Sequence, residues 1–75
     1  MARIDPYKIQ SVTFDNTIWD IFRAHQWLVS HGLYPIKSPH MTDNYIRFRF
    51  MDPNKFERLR TNQLPNGVNL IIGFS

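Results

Sequence analysis

The 75-residue chain predicts an α+β domain in which a four-stranded antiparallel sheet carries two helices on one face. Three stretches predict it. Tyr45–Met51 reads Tyr-Ile-Arg-Phe-Arg-Phe-Met and alternates at period two, as a strand between unlike surroundings requires. Thr17–His31 repeats apolar residues at helical spacing and stops at Gly32. Val68–Phe74 sends Val68, Leu70, Ile72 and Phe74 to one side, and Ile71 on the other marks it as largely buried.

A chain of this length makes one domain, residues 1–75, able to bury only about 60% of its unfolded surface. It has no cysteine, which excludes a disulfide staple and a thiolate metal cage, so stability falls to apolar packing. Six Phe, three Tyr and two Trp supply that packing. No apolar run approaches the roughly 20 residues that span a bilayer, and the amino terminus shows no signal-peptide pattern. A soluble intracellular protein without membrane attachment is the expectation.

The net charge of +3 is unevenly placed. Arg3, Lys8 and Arg23 are balanced by Asp5, Asp15 and Asp20 in the first half. The whole excess lies beyond residue 36, where Lys37, Arg47, Arg49, Lys55, Arg58 and Arg60 face only Asp43, Asp52 and Glu57. Such an asymmetry points to an anionic partner, against the bland alternative of solvated side chains.

In chain order, Asp5-Pro6 turns into a strand at Tyr7–Phe14. Its alternation is mixed, with Lys8, Gln10, Val12 and Phe14 on one side and Ile9, Ser11 and Thr13 on the other, which argues for an edge position or an exposed face. Asp15-Asn16-Thr17 supplies capping oxygens for the first helix, with Asp20 three residues after Thr17. At about 100° per residue, Ile18, Ile21, Phe22, His25, Leu28 and Val29 share one face beside Ala24, while Trp19 and Trp27 fall outside it. Gly32 suits a left-handed cap. Leu33–Lys37 reads as a short edge strand because Pro35 lacks a ladder donor. Asp52-Pro53 starts a second helix, Pro53–Arg60, with Phe56 and Leu59 inward. Leu64-Pro65-Asn66-Gly67 is a turn. The order strand, helix, strand, strand, helix, strand (βαββαβ) is the split βαβ arrangement of a ferredoxin-like two-layer sandwich.

Ala24, Trp27-Leu28, His31-Gly32, Thr42-Asp43-Asn44-Tyr45, Arg47-Phe48-Arg49, Pro53, Phe56, Leu64, Asn66-Gly67 and Gly73 stand in an order that resembles a small domain recurring in tailed-bacteriophage and large DNA virus proteins. The resemblance covers roughly residues 17–74. Its positions are mostly structural types. It implies a viral setting (host cytoplasm or nucleus, or the virion) and no catalytic constellation, and it makes Trp27 a packing residue.

Nucleic-acid binding is the sharpest functional expectation. Tyr45 offers a stacking plane, Arg47 and Arg49 project with it, and Lys55, Arg58 and Arg60 extend the charge. Against it, an RNP-type strand has a glycine and outward aromatics, whereas Phe48 and Phe50 alternate to the other face. The alternative is a protein-interaction or virion assembly role, acting as a homodimer or other homo-oligomer or on a host protein, with Trp19 and Trp27 at the interface. His25 and His31 are six apart on different helix faces, and His25 fits a hydrogen-bonded core position, so no metal site is expected. Ser11, Ser30 and Ser38 lack a glycine-flanked elbow, and Gly32, Gly67 and Gly73 make no phosphate loop. The expectation is a non-enzyme without cofactor.

Overall fold

The computed structural model describes residues 8–74, so the turn at Asp5-Pro6 and the strand start at Tyr7 lie outside the described residues. One antiparallel sheet of five strands runs through them, in the order β2-β3-β1-β5-β4. The strands are β1 (Ile9–Asp15), β2 (His40–Met41), β3 (Tyr45–Arg49), β4 (Arg58–Gln63) and β5 (Val68–Phe74); the helix α1 (Ile21–Ser30) packs on one face. This overturns the four-stranded, two-helix ferredoxin-like sandwich: the sheet has a fifth strand and, among the described residues, one α-helix. Among the described residues no helix is long and apolar enough to cross a membrane.

The second expected helix begins and then stops. Asp52 caps it by accepting a hydrogen bond from Asn54 N–H, and Pro53 stands in the first turn, yet only Pro53–Lys55 winds, as a 3-10 turn. A start signal does not carry a helix forward without an apolar face to bury. At Phe56 the backbone is extended, and Glu57 N–H donates to Phe74 O, which ties the chain to β5. The Leu64–Gly67 turn then lays Arg58–Gln63 beside Val68–Phe74, closed by Leu64 N–H donating to Val68 O. Leu33–Lys37 is likewise no strand; the short strand is the two-residue β2.

β1 is the middle strand, not an edge. Gln10 is an extra residue between the pairs Ile9↔Ile72 and Ser11↔Ile71, a bulge that resets the alternation. Ile9 and Val12 therefore both reach the helix-side core, where Phe14, Ile46, Phe48, Val68, Leu70, Ala24, Leu28 and Leu33 join them. The bulge is fixed by Gln10 Nε2 donating to Met51 O at 2.8 Å, while Gln10 O accepts from Phe50 and Met51 N–H.

α1 is shorter than expected because Asp20 is its N-cap, its carboxylate accepting Arg23 N–H at 2.8 Å. The C-terminus is a Schellman motif: Gly32, at φ +75°, donates to Val29 O, and Leu33 N–H reaches Leu28 O at 2.9 Å, with Leu28 and Leu33 both buried. The helix leans on its Ala24, Trp27, Leu28 side. Ile18, Ile21, Phe22 and Val29, expected to face the core, are exposed, as is His25. The indoles explain the tilt. Trp19 and Trp27 meet the buried Phe14 ring edge-on at 5.2 and 5.8 Å, so the aromatic side of the helix is drawn inward.

Candidate nucleic-acid interface

In β3, Ile46 and Phe48 enter the core, so Tyr45, Arg47 and Arg49 take the sheet face away from α1. The strand is set in place at its start. Thr42 Oγ1 accepts from Tyr45 N–H at 2.9 Å, and Asn16 Nδ2 donates to Asp43 O at 3.0 Å, tying the β2–β3 turn to the end of β1. That turn puts His40 directly opposite Arg47.

Lys37, Ser38, His40, Arg47 and Arg49 line a cleft of about 320 Å³. Three cations and an imidazole thus surround one space in whose lining, among the described residues, no carboxylate stands. Arg47 is half-buried, and its Nε is buried without a hydrogen-bond partner. At the other end of β3 the electrostatics reverse. Tyr45, 43% exposed, is the register partner of Asp15, whose carboxylate accepts from Thr17 N–H at 2.9 Å and Thr17 Oγ1 at 2.7 Å. Those two bonds hold the Asp15 carboxyl below its ordinary 3.8. One carboxylate therefore stands beside the Tyr45 ring, whereas the other end of the strand carries cations.

The structure divides the six residues that the sequence grouped. Tyr45, Arg47 and Arg49 share a face. Lys55 sits on the 3-10 turn, and Arg58 and Arg60 lie on β4, at the opposite edge. Three strand spacings, about 14 Å, separate β3 from β4. Pairing with Phe74 and Ile72 also turns Arg58 and Arg60 toward the α1 side of the sheet. Lys37 and His40, which sequence reasoning missed, complete the cleft instead; the pairing register brings His40 opposite Arg47, and the loop before β2 brings Lys37.

Trp19 and Trp27 are half-buried against their own core. Trp19 Nε1–H donates to Asn66 O at 2.8 Å, with the Arg23 guanidinium 5.1 Å from its ring. Trp27 stacks on His31 at 3.9 Å. Exposed apolar surface lies instead at Ile21, Phe22 and Met41, which line a groove with Trp19 and Ile46. Among the described residues no group of three or more His, Cys, Asp or Glu is placed to hold a metal ion. The chain matches no protein-family model, no curated protein and no solved structure.

Proposed function

We propose that the protein is a small, non-catalytic nucleic-acid-binding protein that holds the phosphate backbone of a single strand in the Lys37–His40–Arg47–Arg49 cleft. The observation that carries this reading is the cleft itself, whose described lining brings together Lys37, His40, Arg47 and Arg49. A single strand is favoured over a duplex because the cations and the Tyr45 ring stand on a sheet face, the platform used for stacking and phosphate neutralisation. Reading a major groove takes a helix or a two-stranded ribbon. The basic residue of α1, Arg23, is engaged with Ile18 O and the Trp19 ring. In this reading the activity takes place in an infected cell or a virion, the setting implied by a residue pattern that resembles domains of tailed-phage and large DNA virus proteins.

The test is fluorescence anisotropy with a labelled dT12 oligonucleotide across a salt series. Replacing Arg47 and Arg49 together by alanine lowers affinity and flattens the log–log salt dependence by about 1.4, since each single-strand phosphate contact contributes about 0.7. The thermal midpoint stays near wild type, because Arg49 is exposed and the Arg47 Nε loses no bond. An unchanged slope, or a double variant that unfolds, overturns the assignment.

A second reading rests on the Ile21–Phe22–Met41 groove, where Phe22 is 71% exposed. Apolar surface of this kind marks contact with another chain. Molecular mass in solution tests it: self-association that Phe22→Ser abolishes supports a homo-oligomer, and a monomer at all concentrations removes that form of the reading.

A further inference from the structure

The cleft opens onto one end of a continuous polar row. His40 is opposite Arg47, Arg47 opposite Thr13, Thr13 opposite Asn69 and Asn69 opposite Gln63. Directly opposed residues share a face, so these five side chains cross the entire sheet on the side away from α1, over about 19 Å at the usual strand spacing. The adjacent row is different. It runs Arg49, Ser11, Ile71 and Thr61, with Ser11 fully covered and Ile71 apolar. Beyond it the Phe56 ring occupies the space above Gly73. On the other flank stands Asp15. The His40-to-Gln63 row is therefore the lane that stays polar from edge to edge, charged at the β2–β3 end and neutral from Thr13 onward.

We propose that this lane is the binding track: a single strand crosses the sheet perpendicular to the β-strands, its phosphate held in the cleft and its bases laid over Thr13, Asn69 and Gln63. The inference rests on the nucleic-acid reading of the cleft and adds sequence preference to it. A hydroxyl and two carboxamides carry no charge to neutralise phosphate, but they present paired donors and acceptors that match base edges. Carboxamides pair bidentately with the N6 and N7 of adenine, so the track prefers adenine. Thr13 and Asn69 are half-buried and held by β1 and β5, which fixes the direction of those groups, while Gln63 at the edge is exposed.

The experiment compares dT12 with a dT12 carrying three central adenines, by anisotropy at two salt concentrations. Wild type binds the adenine-bearing strand about tenfold more tightly, the discrimination expected of a good bidentate contact. In N69A/Q63A that preference collapses while the salt slope is unchanged, because no charge has been removed. Gln63→Ala alone, on an exposed edge, reports the same trend should the double variant fold poorly. Amide chemical-shift changes in the wild-type protein give an independent map, expected along Thr13, Asn69 and Gln63 as well as around the cleft. Equal binding of both strands, preference that survives the substitutions, or shifts confined to residues 37–49 overturn the track and leave the cleft standing. Failure of both strands to bind overturns the cleft and the track together.

Discussion

Two Arg-X-Arg segments occupy two strands of the same sheet, and they have opposite fates. In Arg47-Phe48-Arg49 the central ring is 1% exposed and the arginines stand over the face away from α1, beside Lys37 and His40. In Arg58-Leu59-Arg60 the central leucine is 46% exposed and the arginines turn to the α1 side of an edge strand. Local pattern is nearly identical; position in the sheet differs. β3 lies next to the central strand, where one face must be buried, so alternation there becomes a hard division between core and surface. Among the described residues β4 has a neighbour on one side only, and its charged side chains serve the ordinary need of an edge to discourage further pairing.

Substitution of the two central residues is the strongest way to break this comparison. Phe48→Ala empties a buried site between Phe14 and His25, and the expected loss is about 3–5 kcal/mol, enough to unfold a domain of this size. Leu59→Ala costs under about 1 kcal/mol at its exposed position. Denaturant midpoints measure both. Equal losses mean that β4 is packed as β3 is, and the contrast is lost.

The crossing between the two strands is the next place to press. Residues 50–57 carry the chain from β3 to β4 past the ends of β1 and β5, and Phe56 seats on Gly73, where any Cβ runs into its ring. Gly73→Ala is expected to destabilise by about 1–3 kcal/mol through overpacking. Pairing it with Phe56→Leu, which shortens the obstructing ring, recovers part of the loss, a coupling that a double-mutant cycle reads directly. Additive losses show that the ring moves aside freely and that β4 is not fixed through it.

This crossing also explains what could and could not be read from residues alone. Tyr45–Arg49 was legible because burial on one face forces strict alternation, and Gly32 because a left-handed helix cap strongly favours glycine. The bulge at Gln10 leaves no mark in composition, so the mixed phase of Ile9, Gln10 and Ser11 read as an edge although the strand is central. The Asp52-Pro53 start signal is genuine, but the course of the chain after Lys55 is decided by Gly73 and Phe74, far along the sequence, as they capture Phe56 and Glu57. The same tertiary pairing hides half of the cleft. His40 joins Arg47 only through the β2–β3 register, with Lys37 on the loop that leads into it, and Arg58 and Arg60 leave the group only through the β4–β5 register. The wide apolar arc of the helix was visible, but not which part of it would be buried, because Phe14 selects the indoles.

The proposed nucleic-acid binding is expected to separate the two arginine pairs more gently. R58A/R60A is expected to leave the single-strand salt slope within about half of one phosphate contact of wild type, against the full two-contact loss for R47A/R49A. A matching loss from both pairs means that the ligand wraps around the β4 edge onto the other face, and the single-face cleft is then incomplete.

The smallest effect concerns the boundary of the cationic face, at Asp15. Its carboxylate is stabilised by Thr17 N–H and Oγ1, and its acidity is raised accordingly. A carboxyl whose folded value is depressed contributes stability that is fully present above its unfolded value near 3.8 and is lost as pH falls through the lower folded value. Neutral pH therefore leaves the contribution intact, and the sensitive window lies on the acid side of 3.8. Asp15→Asn removes it, so the variant's thermal midpoint should sit slightly below wild type at pH 7 and converge with it in acid. At neutral pH the same change lifts an anion from beside Tyr45 and should tighten binding of dT12 at low salt, an effect that fades as salt screens it. Binding that weakens instead places Asp15 among the ligand contacts, as an acceptor for base amino groups, and moves the edge of the interface past Tyr45.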